Sequence, residues 1–306
     1  MEQLPLKRKS VSYAKWGYIF IAPFFLAYAV FHLIPLLSTF YNSFFENYRM
    51  GLMQVGPKFI GLENYRTIFA NGDIPKYIGN TFILWAMGFI PQILISMLLA
   101  VWFTSYRMKL KCQPFFKTVI YMPNMIMAAA FSMLFWMLFS AVGPFNNLLL
   151  EWGWLKTALR MEESTTMSRI LVSLMNFLMW FGNTTILLMA GIMGIDQALF
   201  EAAQIDGANP LQVFFRVTMP VLKPITVYVA ITSLIGGIKM FDVPQILTNA
   251  TGEPNRTVMT LLMYLNKHLQ SKNVGMAGAV SVIVFLMTAV LSFIVFKSLD
   301  AGKKRG

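Results

Sequence analysis

Two amide side chains and an indole lie on one face of the fourth long apolar segment of this 306-residue chain. They are Asn176, Trp180 and Asn183, at positions i, i+4 and i+7 of a helix. Amides hydrogen-bond hydroxyl groups, and an indole packs against a flat apolar surface. Because polar groups inside a membrane are costly unless they face a cavity or another helix, the stripe predicts either a ligand-binding surface or helix–helix packing.

The fifth apolar segment carries a second candidate surface, whose residues would let a ligand approach the backbone or a helix pack closely: Ser233, Gly236, Gly237 and Met240. Lys239 and Asp242 are the charged residues well inside this segment, three residues apart and therefore adjacent on a helix. They predict either a locally neutralised pair or a binding site, in which case a charged ligand is favoured. An ionisable group inside a membrane is a candidate functional residue by default.

The sequence holds no set of residues that would make the chain an enzyme. It has no G-x-x-x-x-G-K-[ST] phosphate loop, no glycine-rich dinucleotide fingerprint and no H-E-x-x-H zinc motif. His32 and His268 are too few and too far apart for a metal centre, and we interpret both as structural. Cys112 is the single cysteine, which excludes an intrachain disulfide and a thiolate cluster. We therefore expect no metal and no cofactor in this chain.

The composition is typical of a membrane protein, with 57% hydrophobic and only 12% charged residues. A soluble domain of this length carries about 25% charged residues. A membrane-spanning helix needs about 20 mostly apolar residues. Six segments meet this requirement, approximately Trp16–Leu37, Asn80–Phe103, Val119–Phe139, Ile170–Met193, Ile225–Met240 with its continuation, and Met276–Phe296. The sequence predicts an all-α membrane protein with one domain over residues 1–306 and connecting loops near Glu46–Gly79, Ala141–Arg169 and Gln245–Gly275.

The distribution of basic residues predicts the orientation. Lys/Arg residues precede the first segment (Lys7, Arg8, Lys9), follow the second (Arg107, Lys109, Lys111) and end the chain (Lys303, Lys304, Arg305). Short loops rich in Lys and Arg stay in the cytoplasm, so we expect both termini on that side. The formal net charge of +12 is explained by attraction to anionic lipid headgroups, and we expect no nucleic-acid partner.

The loop between the fourth and fifth segments, about residues 196–220, predicts a compact two-helix knob. Asp196 is a suitable N-cap for a helix over 197–204, and Asp206-Gly207 is a turn signal. A second helix would run from about Pro210 to Thr218, and Pro220 and Pro224 would end it and start the fifth segment. Two short helices joined by a tight turn can seat in a cleft and transmit force as a rigid body.

The same loop reads E-A-A-x2-D-G-A-x5-F-x2-V-x-M-P and resembles the cytoplasmic coupling loop of ABC-importer membrane subunits. Further stretches are similar to carbohydrate ABC permeases and are spread over nearly the whole chain: residues 15–23, 59–65, 80–81, 121–123 and 241–242. Together they resemble the maltose-permease-type subunit of a sugar importer. The resemblance implies six transmembrane helices in the type I ABC importer architecture and a bacterial-type inner membrane.

The resemblance also implies the partners and the coupling residues. The partners would be a second permease subunit forming a heterodimer, two ATPase subunits that carry ATP and Mg, and an extracytoplasmic sugar-binding protein. The residues expected to couple to the ATPases are Glu201, Ala202, Ala203, Asp206, Gly207, Ala208 and Pro220. An ABC permease for another polar solute, such as a glycerophosphodiester, is an alternative. An ion-coupled secondary transporter is a weaker one, because Asp242 alone would supply an intramembrane carboxylate.

Overall fold

The computed structural model describes residues 14–105, 111–160 and 163–300. Within these ranges six helical stretches are long and apolar enough to cross a membrane: Lys15–Ser43, Asp73–Thr104, Ala128–Glu151, Thr165–Met193, Pro210–Leu247 and Val274–Lys297. The prediction of an all-α protein with six membrane-spanning segments is confirmed. The predicted basic runs at residues 7–9, 107–109 and 303–305 lie outside the described residues.

The helices of the described chain follow one another in this order: α1 (Ala14–Tyr28), α2 (Ile34–Ser43), α3 (Glu63–Ala70), α4 (Asp73–Thr104), α5 (Gln113–Met125), α6 (Ala128–Phe139), α7 (Pro144–Glu151), α8 (Thr165–Met193), α9 (Gln197–Ile205), α10 (Pro210–Val213), α11 (Met219–Ile238), α12 (Asp242–Leu247), α13 (Leu261–Gln270) and α14 (Val274–Asp300). A π-helical turn joins α1 to α2, and another joins α10 to α11.

The first predicted loop contains a β-hairpin that the sequence analysis did not foresee. Strands β1 (Phe45–Met50) and β2 (Met53–Phe59) pair antiparallel directly after α2. Gly51 adopts a φ of 61° at the turn, a conformation that glycine enters without a Cβ clash. The other two predicted loops contain short helices, α7 in one and α12 and α13 in the other.

The third predicted span, 119–139, is not one continuous helix. α5 ends at Met125, α6 begins at Ala128, and Ile126 between them has an extended backbone with ψ of 133°. Pro123 in the last turn of α5 has no N–H to donate, and Ile126 is β-branched, so the helix is weak at this point. Asn124 holds the end of α5 against α8 by donating from Nδ2 to the Met179 carbonyl at 3.0 Å.

Pro220 stands at the start of the fifth spanning segment, as predicted, but the prediction that Pro220 and Pro224 end the second helix of the 196–220 loop is wrong. The chain passes from α10 through the π-helical turn at Phe214–Thr218 directly into α11, with Pro220 in the first turn of α11. The wider π turn, in which the Met219 N–H donates to the Phe214 carbonyl, accommodates a proline that offers no N–H itself. The knob is therefore continuous with the fifth spanning segment.

The centre of the bundle is the contact between α4 and α8. Gln92 Nε2 donates to Thr184 Oγ1 at 2.7 Å, and Ser96 Oγ donates to the Phe181 carbonyl at 2.8 Å. Both α4 residues are buried. Such bonds satisfy polar groups inside the membrane, where water is not available to do so. Gly88 lets the two helices approach, because an added Cβ would lie 3.1 Å from the Ser173 carbonyl oxygen.

Candidate functional site

The coupling knob, residues 196–220, has the local geometry predicted from the sequence. Asp196 caps α9 by accepting a hydrogen bond from the Ala198 N–H at 3.0 Å. Gly207 has a φ of 72° in the tight turn. Asn209 and Gln212 then form a reciprocal capping box at the start of α10, with both hydrogen bonds at 2.9 Å. Caps at both helix starts define the shape of the knob without help from other parts of the chain.

The surface of the coupling knob is open to a partner. Among the predicted coupling residues, Ala203 and Ala208 are half-buried, and the others are exposed: Glu201, Ala202, Asp206, Gly207 and Pro220. Four large apolar side chains of the same segment are also exposed and were not predicted: Leu199, Ile205, Leu211 and Phe215. Ile205 is 87% exposed. Contiguous exposed apolar residues rimmed by polar ones are typical of a protein–protein contact.

Two aromatic residues anchor the coupling knob in the bundle. Phe200 of α9 and Phe214 of the π turn pack against a buried cluster that includes Leu188, Ile192 and Leu222. This cluster joins the ends of α4, α8 and α11. A displacement of the knob would therefore be transmitted to all three spanning helices, because a close-packed interior transmits strain. The signal in the sequence for this anchoring was a phenylalanine in each half of the loop, Phe200 and Phe214.

The polar stripe of α8 is partly open. Asn176 and Asn183 are half-buried, and Trp180 is 44% exposed. Asn176 lies beside Gly88 of α4: a Cβ added to Gly88 would be 3.2 Å from the side-chain nitrogen Nδ2 of Asn176. Within the described residues neither asparagine side chain has a hydrogen-bond partner. Two unpaired amides beside an exposed indole have hydrogen-bonding capacity left for a ligand or another subunit.

Most of the candidate surface on α11 is occupied by another helix. The indole of Trp85 on α4 packs against Gly237, and its Nε1 donates to Ser233 Oγ at 3.1 Å. Met240 is 6% exposed and belongs to a buried cluster. Ser233, Gly237 and Met240 thus serve packing, the alternative named above, because Trp85 fills the space over the small residues. Gly236 alone remains open, with no atom within 4 Å of an added Cβ.

Lys239 and Asp242 do not form the adjacent helical pair predicted from their spacing. α11 ends at Ile238, and Phe241 has a φ of −137°, so the two residues lie on either side of a break. Both side chains are exposed, and no salt bridge joins them in the part of the chain that the structure describes. The i, i+3 relation holds only inside a continuous helix.

A polar clamp at the end of the bundle opposite the coupling knob was not predicted. The guanidinium of Arg169 on α8 donates from Nη2 to Asn80 Oδ1 at 2.9 Å and from Nε to the Thr257 carbonyl at 3.2 Å. Asn80 of α4 in turn donates to the carbonyls of Arg256 and Met259. The clamp fastens the loop after α12 to α4 and α8. The signal in the sequence that could have predicted this clamp was Arg169, a charged residue at the start of the fourth apolar segment.

These features define a class of protein. Six membrane-crossing helices carry an exposed, anchored two-helix knob at one end, and the described residues contain no group of three His, Cys, Asp or Glu side chains that could hold a metal ion. Six membrane-crossing helices with such a knob are the architecture of a multi-pass transport permease.

Comparison with known proteins gives the family. The chain belongs to the binding-protein-dependent transport system inner membrane components, whose sequence profile matches residues 92–305. It is 30% identical to the arabinooligosaccharides transport system permease protein AraP of Bacillus subtilis, covering 94% of this chain and 90% of the relative. It is also 30% identical to the lactose transport system permease protein LacF of Rhizobium radiobacter, covering 92% of each.

A solved structure supports the fold. The chain is similar to a subunit of a bacterial ABC transporter involved in the import of the acidic polysaccharide alginate, with a TM-score of 0.78 and 19% sequence identity. The similarity covers 94% of this chain and 96% of that subunit. The predicted ABC importer permease fold is confirmed.

Proposed function

We propose that this chain is a transmembrane subunit of an ATP-driven importer that takes up a sugar or oligosaccharide delivered by an extracytoplasmic binding protein. It would form a heterodimer with a second permease subunit and would bind two ATPase subunits, which carry ATP and Mg. Both termini would lie in the cytoplasm of a bacterial-type cell, on the same side as the coupling knob. The proposal rests on the family membership and on one structural observation, the exposed and anchored coupling knob.

The coupling knob supports the ATPase partner in two ways. Its exposed face combines Glu201 and Asp206 with the apolar side chains of Ile205 and Leu211, a mixture that suits a protein cleft. Its inner face is packed into the bundle, so the energy of ATPase closure would move α8 and α11 together with it. A self-contained ion-coupled carrier would not need such a docking surface. The one carboxylate considered for ion coupling, Asp242, lies at the break between α11 and α12.

The exposure of α1 supports the proposal that this chain contacts the lipid bilayer and a second permease subunit. Its side chains Tyr18, Phe20 and Phe24 are 68% to 80% exposed. A helix that is apolar all round and makes so little contact with its own chain needs lipid or another subunit around it.

A saccharide cargo is supported by the α8 stripe and by the relatives. The unpaired amides of Asn176 and Asn183 beside the Trp180 indole suit the hydroxyl groups and the apolar face of a sugar ring. The relatives named above are described as carriers of arabinooligosaccharides and lactose. A glycerophosphodiester or another polar solute is the second candidate, and a competition assay with radiolabelled saccharide separates the two.

The test is to tag the chain, purify it gently from its native membrane and identify the co-purifying proteins by mass spectrometry. Wild type is compared with Gly207→Pro and Gly207→Asn. Proline cannot adopt the φ of 72° at this turn, whereas asparagine tolerates it. We expect an ATPase and a second permease with the wild type and with Gly207→Asn, and loss of the ATPase with Gly207→Pro. A chain recovered alone that still transports would overturn the proposal.

A further inference from the structure

A cavity of about 1010 Å³ opens at the end of the bundle away from the coupling knob. It lies between the C-terminal end of α6, the N-terminal end of α8 and the loop that follows α12. Small-molecule sites have volumes of about 300–1,000 Å³, so this cavity has room for more than one sugar ring. It contains none of the α8 stripe residues, and the function proposed above leaves it unassigned.

The floor of the cavity is apolar and firmly packed. Phe139, Leu171 and Leu247 line it, and Leu171 and Leu247 are buried members of the cluster that joins α6, α8 and α12. Trp136 also lines the cavity and is 44% exposed. An exposed indole over an apolar floor provides the flat hydrophobic surface on which the C–H face of a sugar ring packs.

The rim of the cavity is polar and held in place. Asn249 and Ala250 have positive φ values, and the Ala250 N–H donates to the Gln245 carbonyl at 2.7 Å. Thr251 Oγ1 donates to the Thr248 carbonyl at 2.6 Å. These local bonds fix the loop before a ligand arrives, which lowers the entropy cost of binding.

Free hydrogen-bonding groups remain on this rim. The Asn249 side chain has no partner among the described residues and offers both a donor and an acceptor. Glu253 uses Oε2 to accept from the Asn255 N–H at 2.5 Å, which leaves Oε1 available. An amide and a carboxylate oxygen next to an indole match the hydroxyl groups and ring face of a carbohydrate.

The charges on the rim select against anionic ligands. Arg160 is the one cation among the described lining residues, and its Nη1 already contacts Glu163 Oε1 at 2.8 Å. Glu253 forms no salt bridge within the described chain, and Arg256, the cation whose charge acts on it, contacts Asp73 instead. An anion would therefore meet an arginine already paired with Glu163 and a carboxylate that no salt bridge neutralises, whereas a neutral sugar finds acceptors for its hydroxyl groups.

We infer that this cavity is a binding site for a neutral oligosaccharide, separate from the α8 stripe and reached before it on the inward path. The inference rests on the proposed import of a saccharide and narrows the cargo to uncharged sugars. Along α8, the nearest cavity residue Leu171 and the stripe residue Trp180 are nine positions apart in sequence, or roughly 14 Å at 1.5 Å per residue. One chain of a few sugar rings would span that distance.

The test measures protection of an engineered cysteine at the cavity. In the intact complex in lipid nanodiscs, Cys112→Ser removes the native thiol, and Ala141→Cys places a reporter on the lining. A membrane-impermeant maleimide labels the reporter with and without lactose, maltotriose, arabinotriose or trigalacturonate. The saccharide imported in the transport assay is added to this panel. Leu52→Cys, at the fully exposed hairpin turn, is the matched control.

We expect a neutral saccharide to slow labelling at Ala141→Cys and to leave Leu52→Cys unchanged. A site with a Kd of about 1 mM is about 90% occupied at about 10 mM saccharide, so labelling slows about tenfold. Trp136→Ala and Glu253→Gln each reduce this protection, whereas Trp152→Ala, an exposed indole outside the cavity, retains it. Glu253→Gln keeps the shape of the rim, so it tests the site even where Trp136→Ala lowers the yield of folded complex.

Two results would overturn the inference. Unchanged labelling with every saccharide, including the one imported, would show that the cavity is not a sugar site. Equal or better protection by trigalacturonate would show that the site does not select neutral sugars. Labelling requires neither ATP nor ATPase docking, so these results are distinct from a failure of the co-purification experiment, which tests the importer itself.

Discussion

The indole of Trp85 on α4 rests against the backbone of Gly237 on α11 and donates from Nε1 to Ser233 Oγ at 3.1 Å, one turn before the glycine. A Cβ at position 237 would overlap the indole carbons. This contact connects α11, which carries the coupling knob, to α4, which in turn packs along α8. These contacts form a continuous packed connection from the knob to the helix that borders the polar stripe.

Gly237→Ala should destabilise the protein by about 1–3 kcal/mol, because overpacking forces Trp85 out of its position. Gly236→Ala is the matched control, since no atom lies within 4 Å of its added Cβ. The measurement is the thermal unfolding midpoint of the purified complex in detergent. Equal midpoints for the two variants would contradict the Trp85 contact.

Arg169→Met should destabilise the protein by about 1–3 kcal/mol, because the Thr257 carbonyl and Asn80 Oδ1 lose a charged donor. Arg66→Met provides the control. Arg66 is exposed, and its contact with Glu63 is 3.8 Å long, so the loss there should be at most about 1 kcal/mol. The measurement is again the thermal unfolding midpoint of the purified complex. A larger decrease of the midpoint for Arg66→Met than for Arg169→Met would show that the polar clamp does not hold the loop after α12.

Trp180→Ala should reduce saccharide uptake about tenfold or more while assembly stays intact, which corresponds to roughly 1.4 kcal/mol of lost interaction. The physical reason is that Trp180 is the large apolar surface of the α8 stripe and is open to a ligand. Trp102→Ala removes a comparably exposed indole from α4 and should leave uptake unchanged. Uptake of radiolabelled saccharide into vesicles, normalised to the amount of assembled complex, measures both. Unchanged uptake in Trp180→Ala would remove the stripe from the transport path.

Glu201→Ala should leave stability within about 0.5 kcal/mol of wild type, because the side chain is exposed and has no ion-pair partner in the described chain. The same change should lower the amount of ATPase that co-purifies and the rate of uptake. Gln197→Ala, on the same short helix, should affect neither. Normal ATPase recovery with Glu201→Ala would mean that this carboxylate takes no part in docking.

Stability should fall as the pH drops below about 6.5, because burial, followed by the nearby Lys267, lowers the pKa of His268 from its ordinary value of 6.5. The buried Nε2 of His268 has no hydrogen-bond partner among the described residues, and the ring packs edge-on against Tyr264. A lowered pKa means that the unfolded chain takes up the proton first, so the stabilisation is present above pH 6.5 and is lost below it.

His268→Leu should remove this part of the pH dependence, and His32→Gln should keep it. The measurement is the unfolding midpoint of each variant at pH 7.5 and at pH 5.5. An identical pH response in His268→Leu and wild type would assign the effect to other groups.

Much of the coupling knob could be predicted because its shape depends on neighbouring residues. Asp196 caps its own helix, Gly207 permits its own turn, and Asn209 with Gln212 closes a local box. Pro220 was correctly placed at the start of the fifth segment, but the helix before it was wrongly expected to end there, because a proline rule considers α-helical bonding only. The π-helical turn before it changes which carbonyls are bonded, and Phe214, where this turn begins, packs against a cluster built from distant helices.

The sequence by itself determined the number of membrane-spanning segments, the family and the position of the coupling knob. Hydropathy, capping and turn formation depend on residues close together in the chain, so the sequence reports them directly. Only the tertiary structure decided which candidate site residues are free. Gly237 and Ser233 are covered by a tryptophan 148 residues from Ser233, whereas the α8 stripe stays open. That outcome depends on which helix faces which, and helix-to-helix packing is set by long-range contacts that no local spacing encodes.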